Sequence, residues 1–189
     1  MCTALVMAPT STSAKRILRR KGESADIEFT EKDINILHSP SGCLNDVCLN
    51  GGAAILQDTC SSTSPDTCNR CALLSTFDLP RIRYKASDDD IWRNTRRSSY
   101  WLKNIWILPI HRPGHWALCA ILIDSRELYL FDSFASQDPW RRDVDDIMCL
   151  VGRLVLLAKR HGHPLPVDTE GWSARPISVG LQFILQELR

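Results

Sequence analysis

The amino-acid sequence predicts a domain of mixed α and β structure. Three apolar runs, at residues 105–110, 116–123 and 127–131, are separated by short polar segments and read as strands. A longer stretch, Trp140–Arg160, carries apolar residues at three- and four-residue spacing, which is typical of an amphipathic helix. The chain has 189 residues, 44% hydrophobic and 24% charged, and these values favour about one ordinary globular domain.

The N-terminal segment, residues 1–26, is predicted to be a disordered basic tail ahead of a domain at 27–189. Its lysines and arginines cluster between positions 15 and 21, and no acidic residue precedes Glu23. A nuclear-localisation patch and a mitochondrial presequence share this composition and stay open as alternatives. Over the whole chain 23 basic residues face 22 acidic ones, so we expect no nucleic-acid partner. No apolar run approaches the roughly 18 residues of a transmembrane helix, and we expect no membrane partner.

Two elements are predicted at the start of the domain. In residues 27–37 some of the apolar residues are two positions apart, which indicates a strand or an arm packed on the domain. The next apolar or small positions recur at helical spacing and predict an amphipathic helix: Leu44, Val47, Cys48, Gly51 and Ile55. Ser41 is the expected N-cap of this helix. Gly51 and Gly52 each weaken a helix by about 1 kcal/mol relative to Ala, so we expect either a close backbone approach or a marginal helix there.

Residues 58–75 are rich in Ser, Thr, Pro and Asn, and they predict a surface loop. Within it, Cys68 and Cys71 have the C-x-x-C spacing that suits zinc or redox chemistry. Zinc normally takes four ligands and no second pair follows, so we assign no metal and no cofactor. A weaker hypothesis is that these cysteines and the basic tail form a small element that binds zinc and nucleic acid. We expect the eight cysteines to be mostly reduced, with Cys119 and Cys149 acting as small core hydrophobes.

The central part of the chain predicts a hairpin followed by the long helix. Three polar residues join the runs at 116–123 and 127–131, which indicates an antiparallel pair. The first of these runs is apolar almost throughout, as in a strand buried on both faces. Asp138 and Pro139 then supply an N-cap and a first-turn proline for the helix, and Gly162 ends it.

His115 and Asp132 are the two residues most informative about chemistry. One begins a predicted strand and the other ends its antiparallel neighbour, so both come to the same edge of the sheet. A carboxylate there can orient an imidazole, fix its tautomer and stabilise its protonated form. Such a pair is catalytically useful only beside a nucleophile. His111 is assigned no catalytic role; we expect it to satisfy a turn around Pro109 and Pro113.

An ordered set of motifs resembles the ubiquitin-like-protein-specific (SUMO-type) cysteine proteases. The set comprises LND at 44–46, WILPIH at 106–111, GHWAL at 114–118 and LFDS at 130–133. Trp172, about 40 residues further on, stands where that family approaches its nucleophile. The resemblance spans about residues 35–182, and it depends on the order of the motifs more than on any one of them.

The resemblance implies an α+β, papain-like cysteine-protease fold with a mixed central sheet flanked by helices. It implies that His115 is the general base and that Asp132 orients it. Trp116 would line the narrow channel that takes the Gly-Gly tail of a modifier, although a core aromatic would look the same in sequence. Gln182 is the only counterpart, and a weak one, of the family's oxyanion-hole glutamine. The implied partner is a ubiquitin-like modifier or its conjugates, and no cofactor is implied.

The family's nucleophile motif, Q-x-N-x-x-D-C-G, has no complete counterpart in this sequence. No cysteine follows Cys149, and the earlier cysteines lie where the family has no nucleophile. We therefore expect a domain truncated at its C-terminus, with the His and Asp present, the nucleophile absent and no peptidase activity. The alternative is a pseudoprotease, a non-catalytic binding module for a ubiquitin-like partner. The expected location is intracellular, in the nucleus or cytoplasm.

Sequencing the transcript beyond the codon for Gln182 tests this expectation. If the chain is a fragment of a working protease, the frame continues into an Asn and then Asp-Cys-Gly. A transcript that stops after Arg189 would contradict the fragment hypothesis and leave only a binding role or a decayed gene.

Overall fold

The computed structural model describes residues 16–18, 27–134, 140–168 and 170–177. The helices are α1 (Glu31–His38), α2 (Asp46–Thr63), α3 (Pro65–Arg70), α4 (Asp78–Arg83), α5 (Asp88–Thr95) and α6 (Trp140–Arg160). The strands are β1 (Arg16–Leu18), β2 (Ile27–Phe29), β3 (Cys71–Leu73), β4 (Ile105–Arg112), β5 (His115–Leu122), β6 (Glu127–Asp132) and β7 (Ser173–Pro176). Among these described helices, none combines the length and the apolar character needed to cross a bilayer.

Five of the strands form one mixed sheet, in the order β3-β4-β5-β6-β7. The three central strands are antiparallel, while β3 and β7 run parallel to their neighbours at the two edges. The core joins one face of the sheet to α4, α5 and α6, with inward side chains that include Leu108, Ile121, Leu128, Ile91, Leu150 and Leu154. The buried Tyr100 hydroxyl also donates to the Leu154 carbonyl at 2.8 Å. This α+β architecture confirms the predicted fold class.

The three predicted central strands and the long helix are confirmed. Strand β4 is longer than predicted, because Pro109 stays within the ladder opposite Leu118 and pairing continues to Arg112. Helix α6 has the predicted bounds, and Gly162 takes a positive φ of 84° just beyond its end. The predicted N-cap at 138–139 lies outside the described residues.

Helix α2 begins later than predicted. Its N-cap is Asn45 and not Ser41, because the Asn45 side-chain oxygen accepts the Cys48 backbone N–H at 2.8 Å. The same amide donates to the Asp33 carboxylate at 2.7 Å. Asn45 therefore both starts α2 and fastens it to α1.

The segment at 27–37 divides between a short strand and a helix. Thr30 stands at the junction and forms a reciprocal capping box with Asp33, which ends β2 and starts α1. Within the tail predicted to be disordered, β1 at Arg16–Leu18 pairs antiparallel with β2. The remainder of that tail lies outside the described residues.

The prediction of a loop at 58–75 is wrong. Helix α2 continues to Thr63, α3 follows with Pro65 in its first turn, and β3 then joins the sheet. Hydroxyl side chains in the last turns of α2 each donate to the carbonyl four residues earlier: Thr59, Ser61, Ser62 and Thr63. These bonds let a Ser/Thr-rich sequence stay helical.

Cys149 is exposed, so the prediction that it is a core hydrophobe is wrong, whereas Cys119 is fully buried as predicted. The buried stripe of α6 includes Ile147, Leu150 and Leu154. Position 149 lies two residues after Ile147, about 200° around the helix, and therefore outside that stripe.

Gly51 and Gly52 offer a matched pair of substitutions in α2. A Cβ at Gly51 would overlap the buried Phe29 ring, whereas a Cβ at Gly52 meets nothing within 4 Å. We expect Gly51→Ala to lower the free energy of unfolding by about 1–3 kcal/mol through overpacking. Gly52→Ala should raise it by about 0.5–1 kcal/mol, because Ala is the better helix former. Urea unfolding of both variants checks this, and equal effects would contradict the close approach of α2 and β2.

Candidate active site

A tight hairpin between β4 and β5 positions His115. Arg112 pairs with His115 across the two strands, and the connecting Gly114 takes a positive φ of 79° that favours glycine. On the other side of β5, Ala117 pairs with Asp132. Alternation places Arg112, His115 and Asp132 on the same face of the sheet. The His115 Nε2 atom lies 3.2 Å from Asp132 Oδ2, so the structure brings the two predicted residues together.

Asp132 is nearly enclosed, with 3% of its surface exposed. Its Oδ1 accepts the Phe134 backbone N–H at 2.9 Å, and its Oδ2 accepts Arg112 Nη1 at 2.7 Å. Burial alone raises the pKa of this carboxyl, but the Phe134 amide, His115 and Arg112 outweigh it, and the net pKa lies below the usual value. The group is therefore a carboxylate at neutral pH.

His115 presents its two ring nitrogens to different surroundings. Because Nε2 faces the Asp132 carboxylate, a proton on Nε2 leaves the Nδ1 lone pair as the basic position. The Phe134 ring lies beside the imidazole, with 4.6 Å between ring centroids, and is itself 70% exposed. The imidazole is thus oriented by Asp132 and partly covered by Phe134.

A chain of ion pairs continues behind Asp132 into the helical layer. Arg112 Nη2 donates to Asp143 of α6 at 2.6 Å, and Arg83 of α4 donates to the other oxygen of Asp143 at 2.5 Å. Arg83 also reaches Asp146 at 2.7 Å. Sequence reasoning missed this network. The sequence feature that could have revealed the network is Arg112. This charged residue occupies the inward position of β4 that follows Leu108 and Ile110 in the alternation.

Trp116 connects two of the sequence motifs in space. Its indole N–H donates to the Leu44 carbonyl at 2.7 Å, so the HW motif contacts the LND motif. The side chain is half-buried and stands edge-on to His111, with ring centroids 4.8 Å apart. His111 therefore lies within β4 opposite Trp116, and the prediction that it serves a turn between Pro109 and Pro113 is wrong. Gln182 lies outside the described residues.

The cysteines differ in their access to this site. Cys119 is fully buried and burial raises its pKa, so its thiol is not a nucleophile. Cys43 is exposed, and its Sγ lies 4.0 Å from the Gly114 carbonyl. Cys68 lies close to Ser61, with 3.0 Å between Sγ and Oγ. Over the described ranges, no three His, Cys, Asp or Glu side chains are grouped to hold a metal ion.

The structure thus brings an imidazole and a buried carboxylate together on neighbouring strands of a mixed sheet, an arrangement that can serve acid–base chemistry. The model of the Ulp1 protease family, C-terminal catalytic domain, matches residues 44–160. That match covers more than half of the chain, so the chain belongs to the Ulp1 protease family. Curated protein sequences gave no significant match.

Solved structures show the same fold at low sequence identity. A de-sumoylating protease is 17% identical with a TM-score of 0.65, and the match covers 88% of this chain and 64% of that one. The SUMO protease Ulp1 with its catalytic cysteine oxidised to a sulfinic acid is 16% identical, with a TM-score of 0.58 and coverage of 88% and 68%. The C-terminal Ulp1 protease domain in complex with Smt3, the yeast ortholog of SUMO, is 15% identical, with a TM-score of 0.51 and coverage of 90% and 71%. The chain thus spans about two thirds of the length of these structures.

Asp132→Asn tests the contribution of the carboxylate to stability. The substitution leaves the buried Arg112 guanidinium without one of its two anionic partners, so we expect a loss of about 3–5 kcal/mol in the free energy of unfolding. Asp90→Asn is the matched control, because the exposed Asp90–Arg93 pair should contribute less than about 1 kcal/mol. Guanidinium unfolding measures both variants.

The stability difference between wild type and Asp132→Asn should also depend on pH. The folded pKa of Asp132 is lowered, so its stabilisation is fully present above the unfolded value of about 3.9 and is lost as pH falls through the folded pKa. The stability difference between wild type and Asp132→Asn should shrink in that acid range. A difference that is independent of pH would show that the ionised carboxylate is not its source.

Proposed function

We propose that this domain recognises the C-terminal tail of a SUMO-type modifier and holds the base half of a thiol-protease site. The observation that carries the proposal is the 3.2 Å contact of His115 with a buried, ionised Asp132. Membership of the Ulp1 family supports the substrate class. The similar fold of the Ulp1 protease domain that was solved in complex with Smt3 also supports a partner of this class.

The geometry suits one defined proton transfer. With its Nε2 proton directed at Asp132, His115 can take a thiol proton at Nδ1, and the carboxylate stabilises the imidazolium that forms. The thiolate then attacks the carbonyl carbon of the scissile bond, and the imidazolium returns its proton to the leaving amine. Water hydrolyses the resulting thioester and frees the thiol.

We infer that this chain on its own does not complete that reaction. No cysteine follows Cys149 in the sequence, and the fully buried Cys119 has no access to substrate. A base without its nucleophile retains little of the rate enhancement of a triad. Recognition is a separable property, because it depends on the walls of the channel and not on the thiol. A pseudoprotease role is the second candidate, and it is supported by Trp116, the residue after His115, whose indole N–H is held by the Leu44 carbonyl.

Two assays with a SUMO-type modifier test the proposal. We expect no release of an amide-linked reporter from the modifier C-terminus, and no difference between wild type and His115→Ala in that assay. We expect the modifier to bind at tens of micromolar or better by calorimetry. Trp116→Ala should weaken binding by about tenfold or more, because a large aromatic contact is lost.

Tyr84→Ala is the matched aromatic control, since Tyr84 is 85% exposed at the end of α4 and is placed outside the site. Its binding should equal that of wild type. Failure of the wild-type chain to bind the modifier at tens of micromolar would overturn the recognition proposal. Turnover that His115→Ala abolishes would overturn the inference that the chain is inactive.

A further inference from the structure

Arg112 is a buried cation at a position where the strand pattern calls for an apolar residue. It is 5% exposed and follows Leu108 and Ile110 on the inward face of β4. A buried guanidinium is costly unless carboxylates and hydrogen bonds satisfy it. Two carboxylates do so from opposite sides, Asp132 at 2.7 Å and Asp143 at 2.6 Å.

The remaining contacts of Arg112 leave its orientation little freedom. The guanidinium carbon lies 4.9 Å from the centroid of the Trp140 ring, a cation–π distance. Its Nε atom is buried with no hydrogen-bond partner within the described residues. Arg112 thus bridges Asp132 and Asp143 through its two terminal nitrogens, and the geometry of these two bonds fixes the plane of the guanidinium.

One of the two Arg112 bonds is made to Asp132 Oδ2, the oxygen that also faces His115. Asp132 Oδ2 accepts Arg112 Nη1 at 2.7 Å and lies 3.2 Å from His115 Nε2. A carboxylate has about four lone-pair sites, so both donors can bind the same oxygen. The Phe134 amide holds Oδ1, and the Arg112 bond holds Oδ2, so the carboxylate cannot rotate away from the imidazole.

The charges along the network favour the same orientation. From α6 to the sheet, the series contains three carboxylates and two guanidinium groups in alternation: Asp146, Arg83, Asp143, Arg112 and Asp132. The sum is one negative charge, and His115 stands at the end of the series beside Asp132. A proton on His115 Nε2 therefore points at Asp132, the carboxylate of this series that lies beside the imidazole.

We propose that Arg112 is a positioning residue for the His115–Asp132 pair: it clamps the Asp132 carboxylate between β4 and α6 so that His115 keeps its proton on Nε2 and its lone pair on Nδ1. The role of His115 as a base rests on the proposed function, but the clamp does not. A merely structural link between β4 and α6 would use the same bonds to Arg112 without affecting the hydrogen bond of the imidazole.

Nitrogen-15 NMR of the whole chain separates these roles. The readout is the exchange rate of the His115 Nε2 proton with water, measured for all variants at one fixed pH, with His115→Gln identifying the signal. We expect Arg112→Met to speed this exchange by about tenfold or more, because the acceptor is released. Arg112→Lys, which keeps the cation without the fork, should recover part of the protection.

Arg83→Met is the matched control, because Arg83 bonds Asp143 and Asp146 but not Asp132. Because the Arg112–Asp132 bond is intact in this variant, its exchange rate should rise much less than that of Arg112→Met. If Arg112→Met does not fold, Asp143→Asn decides instead, since it loosens the far anchor of Arg112 and should raise exchange in the same direction. Unchanged exchange in the folded Arg112→Met variant, or an equal rise in Arg83→Met, would overturn the proposal. The measurement needs no modifier and no turnover, so it is independent of the proposed function.

Discussion

The ion pair between Arg112 and Asp132 is the interaction on which the site depends. It lies inside the protein, where breaking one partner leaves an uncompensated charge and costs several kcal/mol. Arg112 ends β4, Asp132 ends β6, and Asp143 brings the first turn of α6 to the same guanidinium. The bonds of one side chain therefore hold together two strands and a helix at the edge of the sheet that carries His115.

The parts of this arrangement that are local in sequence could be predicted. Strands β5 and β6 are adjacent and antiparallel, so the alternation of apolar residues and one short turn are enough to bring His115 and Asp132 to the same edge. Helix α6 was predictable for a similar reason, because its apolar stripe and its charged ends agree over 21 residues. The resemblance to SUMO-type proteases rests on motifs at 44–46 and in β4, β5 and β6, and the family match at 44–160 contains them.

The parts that depend on distant contacts could not be predicted. Strands β3 and β7 pair in parallel, so no hairpin signal in the sequence marks them. The Ser/Thr-rich end of α2 is helical because its hydroxyls bond to carbonyls in the preceding turn, and composition alone indicated a loop. The bond from Arg112 to Asp143 joins residues 31 positions apart, and only the inward placement of Arg112 hinted at a partner.

The His115–Asp132 pair is held by contacts among the described residues. His115 is oriented by Asp132, Asp132 is fixed by Arg112 and the Phe134 amide, and Arg112 is anchored on α6. Trp116 is held separately, through the Leu44 carbonyl at the entry to α2. None of these bonds involves a thiol, so the geometry of the His115–Asp132 pair and the placement of Trp116 do not depend on a cysteine. The contacts that orient the imidazole and the contact that holds Trp116 are separate, so a change in one set can leave the other in place.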